Sequence, residues 1–141
     1  MLNHFPVVGT ILILLVIGYG IFRKNKEVIK AGLILTVVIA VISIFAYTTG
    51  DGAQQMVEGM DDVTEKYIDE HEDFALYALI TMEVMGAAAL LGLFAFRNRE
   101  NFPGWFIALF VLLLLINSGM MGWTANLGGK IHHPEIHNDI F

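Results

Sequence analysis

Apolar residues fall in four long runs, at 5–22, 31–47, 74–96 and 105–123, and polar residues gather between them. A membrane-spanning helix needs about 20 mostly apolar residues. Three of the runs hold no charge, and the third holds only Glu83. Buried helices of soluble bundles keep a polar stripe, and these runs have none. The pattern therefore predicts an all-α integral membrane four-helix bundle in a single domain, 1–141. Between the second and third runs the pattern changes. Met56, Val57, Met60, Val63 and Tyr67 recur at helical spacing with acids between them. That periodicity predicts an amphipathic helix over 54–67, lying on the membrane surface or capping the bundle. Gly50 and Gly52 mark the expected break before it.

Charge adds an orientation. Arg23, Lys24, Lys26 and Lys30 lie in the first connection, and Arg97 and Arg99 in the third. Six of the eight bases thus fall on one side, which the positive-inside rule makes cytoplasmic. Both termini are then outside. Nine of the fourteen carboxylates lie between Asp51 and Asp73, on that outer side. Most of this acidity is what a solvated outer loop obeying the rule would show. Trp105 and Trp123 fit the two aromatic belts. A secretory signal puts its positive charges ahead of its apolar stretch. Here Arg23, Lys24 and Lys26 follow the first run, which reads as a retained helix.

Composition narrows the chemistry. The net charge is −6, so a nucleic-acid partner is not expected. The chain has no cysteine, which excludes disulfides, thiolate metal sites and covalently attached haem. All five histidines (His4, His71, His132, His133 and His137) fall on the outer side in this topology. A histidine at a helix end is often just a cap or a hydrogen-bonding group, and His137 is best read that way. Imidazole is also the commonest side-chain metal ligand, and two can hold a haem iron. A membrane bundle offers an apolar slot for the macrocycle. Gly9, Gly86 and Gly119 would give a ring room, although membrane glycines commonly serve helix packing. The alternative is a single Cu, Zn or Fe ion held by His4, His71, His132 and His133 with nearby carboxylates. Glu83 lies mid-membrane, about 120° round its helix from His71. An intramembrane carboxylate is a candidate proton relay, or a buried acid bonded to Ser43, Thr81 or Asn117.

The chain also divides into two similar halves. Each opens with a histidine just outside an odd-numbered run (His4, His71) and closes on a threonine and a glycine pair. Two hairpins related by an axis along the membrane normal would make His4 and His71 equivalent.

His4-Phe5-Pro6, Thr49-Gly50-Asp51-Gly52-Ala53, His71-Glu72-Asp73-Phe74-Ala75 and Gly128-Gly129-Lys130-Ile131-His132-His133 resemble a family of bacterial four-helix transmembrane domains of unknown function. The resemblance spans nearly the whole chain through short motifs. It singles out His4, Asp51, His71 and His133; His132 occupies a slot that the family pattern does not require. Some members of the family are fused to c-type cytochrome domains, which implies a redox setting and supplies no reaction. The leading expectation is a non-covalent haem b, ligated by two of His4, His71 and His133, with His4 and His71 the first pair. Asp51 and Glu72 would orient the rings. Such a protein would work in a bacterial inner membrane, passing electrons from a donor such as quinol to a periplasmic c-type cytochrome. A non-catalytic subunit of a respiratory-type complex, or a homo-oligomer, is the remaining alternative. No hydrolase motif and no broken helix of the transporter kind is present.

Overall fold

The computed structural model describes residues 4–54 and 62–132, with side chains at 5–48 and 71–127. Among the described residues there are four helices: α1 (His4–Phe22), α2 (Lys26–Gln54), α3 (Asp62–Ala95) and α4 (Gly104–His132). Each contains a stretch long and apolar enough to cross a membrane: Phe5–Phe22, Lys26–Thr48, His71–Ala95 and Gly104–Leu127. Within the 18 most apolar residues of each stretch, 33% are buried in the first three and 28% in the fourth. Large apolar side chains face outward, as at Leu15, Phe22, Leu91 and Phe94. A surface of that kind has lipid as its solvent.

α1 packs on α2, α2 on α3 and α3 on α4, and a shorter contact between α1 and α4 closes the ring. α1 and α3 therefore stand on one diagonal, and α2 and α4 on the other. Lipid tails are as apolar as leucine, so close packing rather than exclusion of water holds such helices together. Ile13, Ile17, Leu33, Met82, Met85, Phe110 and Leu114 fill the interior. Gly86 lets α3 approach α2: a Cβ there would lie 2.6 Å from the Cβ of Ala40.

The first turn is built by local chemistry. The amide of Asn25 bonds the Gly20 carbonyl at 2.9 Å and that of Lys24 bonds the Ile21 carbonyl at 3.1 Å. This is the Schellman closure of α1. Lys24 stands at its left-handed position with φ 50°, where glycine is usual. The Asn25 side chain then caps α2, its Oδ1 accepting from the amides of Glu27 (3.0 Å) and Val28 (3.2 Å).

Four boundaries differ from the sequence pattern, the first being the start of α2, at Lys26 instead of 31, where Asn25 caps it. α2 runs through Gly50 and Gly52 to Gln54, because a glycine costs a formed helix only about 1 kcal/mol and need not end it. α3 begins at Asp62, so 62–67 is not a separate surface helix but the first turns of α3. No glycine or proline separates Asp62 from Phe74, and nothing stops the helix from propagating. The earlier part of that amphipathic stretch, 55–61, lies outside the described residues. α4 continues to His132, so Thr124 and the Gly128-Gly129 pair are helical. With a rise of about 1.5 Å per residue, α2, α3 and α4 project beyond their apolar stretches at the end of the bundle opposite the two short turns.

Candidate functional site

His71 stands at the boundary between the apolar part of α3 and its polar extension. It lies seven residues before the buried Ala78 and is itself half-buried. Its Nδ1 is 3.0 Å from the backbone carbonyl oxygen of Thr124 on α4. A carbonyl only accepts, so Nδ1 donates and carries the ring hydrogen. In the neutral ring the lone pair then lies on Nε2. Anchoring one ring nitrogen on a carbonyl is how proteins orient a histidine whose other nitrogen binds a metal. The same bond also ties α3 to α4 beside the Phe74–Trp123 pair, whose ring centroids lie 6.2 Å apart. It therefore serves packing whether or not a ligand is bound.

The other candidates are distributed as follows. His4 opens α1 and Asp51 lies in the last part of α2. His132 ends α4. The side chains of these three, and the whole of His133, lie outside the described residues. Glu72 is exposed. Helix order places His4, Asp51, His71 and His132 at the same end of the bundle. Among the described residues no three His, Asp or Glu side chains form a metal-ligand group.

The two hairpins repeat in topology, but their buried faces do not share the register of the histidines. α1 buries Pro6, Gly9, Thr10, Ile13 and Ile17. Aligning His4 with His71 sets Thr10 and Ile13 against Tyr77 and Ile80, both of which are exposed. His71 follows the buried face of α3 in heptad spacing. Position 4 stands about 200° round α1 from the buried Pro6. The equivalence of the two positions, expected from their places in the sequence, is absent from the register of the helix faces.

Two of the glycines expected to make room for a ring face protein instead. A side chain at Gly9 would meet Ile39, and one at Gly86 would meet Ala40. Only Gly119 has open space beside it, and it is exposed. A macrocycle in this bundle therefore has no slot at Gly9 or Gly86.

Glu83 has its Oε1 buried with no hydrogen-bond partner. None of the three expected partners reaches it. The Ser43 hydroxyl donates to the Ile39 carbonyl (2.9 Å). The Thr81 hydroxyl donates to the Tyr77 carbonyl (2.7 Å). The Asn117 amide donates to the Ala78 carbonyl (2.9 Å).

Sequence reasoning missed the buried polar layer around Asn117. Asn117 and Thr10 are both fully buried. The Thr10 hydroxyl lies 2.7 Å from the Pro6 carbonyl and 3.4 Å from Asn117 Oδ1. It has one hydrogen, and the shorter contact takes it. The Asn117 Nδ2 bond to Ala78 is thus the strong link across helices. A lone asparagine inside an apolar run was the available signal.

No family model, curated protein or solved structure matches this chain. The fold and the site define the class: an all-α, four-helix membrane protein, multi-pass, with its candidate ligands grouped at one end.

Proposed function

We propose that this chain is a membrane b-type haem protein, an electron carrier rather than a stand-alone enzyme, with its site at the end of the bundle that holds His71. The observation that supports the reading is the 3.0 Å bond from His71 Nδ1 to the Thr124 carbonyl. It leaves Nε2 as the lone-pair nitrogen of a half-buried imidazole beside the apolar band. A second imidazole for the iron would come from His4 or His133. His4 opens α1, which stands diagonally across the bundle from α3. Asp51 and Glu72, at the same end, would orient the imidazoles. When bound, haem would supply one-electron transfer. The chain's own residues would exclude water with the Phe74–Trp123 pair and hold the ring hydrogen of His71 on α4.

The proposed setting is a bacterial inner membrane with both termini periplasmic, quinol as donor and a c-type cytochrome as acceptor. It rests on the distribution of bases and on the family resemblance. The acidic segment between Asp51 and Asp73 would steer a basic acceptor.

The test is the absorption spectrum of protein purified from cells supplied with haem precursor. A Soret band that is lost in His71→Ala while the protein stays folded supports the reading. A wild-type preparation without a Soret band overturns it. Elemental analysis of the same sample decides the alternative of a Cu, Zn or Fe ion on the same histidines.

A further inference from the structure

At the end of the bundle opposite His71, the two short turns meet. The Lys26 ammonium donates to the backbone carbonyl of Arg97 (3.5 Å) and to that of Arg99. These carbonyls follow the C-terminus of α3, where a cation is favoured. One lysine from the first turn thus pins the second turn beside it. Six bases that are 67 or more residues apart between the two groups become one crown, interrupted only by Glu27 and Glu100. Glu27 is already engaged, 3.6 Å from Lys30.

Arg23, Lys24, Arg97 and Arg99 are all exposed. The Arg99 guanidinium sits over the Phe96 ring, 5.7 Å from its centroid. That contact holds it at the aromatic layer instead of letting it range freely. Below the crown lies an apolar collar. Phe96 packs edge-on against Trp105 at 6.2 Å, and Trp105 and Phe22 face outward, 66% and 81% exposed. An apolar collar under a two-part cationic crown is complementary to a molecule with acyl chains below and more than one negative charge above.

We propose that this end of the bundle binds an anionic phospholipid with two phosphates, with Arg23 and Lys24 of the first turn facing one phosphate and Arg97 and Arg99 of the second facing the other. A phosphate takes an arginine fork in two parallel hydrogen bonds. Because the turns are joined through Lys26, a headgroup with two phosphates engages both, whereas a single-phosphate lipid engages one.

The test uses the full chain in neutral phosphatidylcholine nanodiscs doped with cardiolipin or with phosphatidylglycerol at equal charge. Trp123→Phe leaves Trp105 as the only tryptophan. Brominated cardiolipin should then quench Trp105 at a concentration roughly tenfold lower than brominated phosphatidylglycerol. The Arg23→Gln/Arg97→Gln/Arg99→Gln variant should lose that preference. Equal quenching by the two lipids at equal charge would show only the general attraction of a basic boundary and would overturn the proposal. So would a preference that survives the triple substitution. The quenching comparison on the Trp123→Phe background needs no arginine variant to fold. Circular dichroism of the triple variant verifies that any loss is local.

Discussion

At position 117 an amide side chain sits in the interior of a bundle otherwise filled by Ile, Leu, Met and Phe. In lipid a polar group has no water to turn to, and Asn117 meets that demand by donating to the Ala78 carbonyl on α3. Cross-helix bonds of this kind contribute about 0.6 kcal/mol on average in membranes, and up to about 1.7. Asn117→Ala should therefore lower stability by about 1 kcal/mol, since it also opens a small void. Asn117→Leu should be no better, because the larger γ-branched group must still fit beside Thr10 and Ala78. Unfolding by steric trapping in bicelles measures both. A loss below about 0.3 kcal/mol for Asn117→Ala would show that the bond adds nothing beyond its unfolded-state alternatives. Glu83 is the contrasting residue. Its buried oxygen meets no partner in the bundle, so Glu83→Gln should leave stability within about 0.5 kcal/mol of wild type. If Glu83 relays protons, the same substitution should abolish proton-coupled behaviour in a reconstituted redox assay.

At the scale of the element, helices α2 and α3 meet in one close approach that no flexible side chain can relieve. The Cβ of Ala40 lies so near Gly86 that any added side chain there must push the helices apart. Overpacking of this kind costs about 1–3 kcal/mol. Gly86→Val should reach the upper part of that range, because a β-branched side chain is stiff at χ1. Gly119→Ala, at a position with open space beside it, should be silent in the same thermal melt. The first turn makes the opposite prediction. Lys24 holds a left-handed backbone that glycine adopts without penalty. Lys24→Gly should stabilise the α1–α2 hairpin by roughly 0.5–1 kcal/mol, read as a raised melting temperature. A lowered melting temperature would mean that the lysine side chain contributes more than its backbone strain removes.

At the scale of the whole molecule, the ring of four helices sets two ends of opposite character. One bears the short basic turns joined through Lys26, and the other bears the extended helices with His71. The chain has no cysteine, so single cysteines can report sidedness directly. Asn98→Cys and Asp73→Cys, both at exposed positions, should differ toward a membrane-impermeant maleimide in sealed vesicles: one labels at once and the other only after permeabilisation. Labelling of both before permeabilisation would contradict a crossing by α3.

The four spans were legible in the sequence because lipid imposes a length and a polarity on any helix that crosses it. The runs at 5–22 and 105–123 need no tertiary partner to be recognised. The first connection was legible at 23–30, but its closure in three residues at 23–25 was not, because a lysine stands where a glycine would have announced the helix end. The glycines misled in another way: Gly50 and Gly52 marked a break that a formed helix does not need, and Gly9 and Gly86 proved to be contact points with α2. His71 was legible as a candidate, but its bond to Thr124 was not. Those residues are 53 positions apart, and only antiparallel packing of α3 on α4 brings them together.

The sequence by itself determined that this protein is helical, multi-pass and without thiol chemistry, since hydropathy and composition are properties of residues one at a time. Tertiary structure decided which faces those helices bury, which nitrogen of His71 holds the hydrogen, and that two basic turns distant in the chain form a single crown. Each of these depends on the rotation and order of the helices around one another. Lipid solvates every face of an apolar helix almost equally well, so packing, not hydrophobic patterning, had to choose.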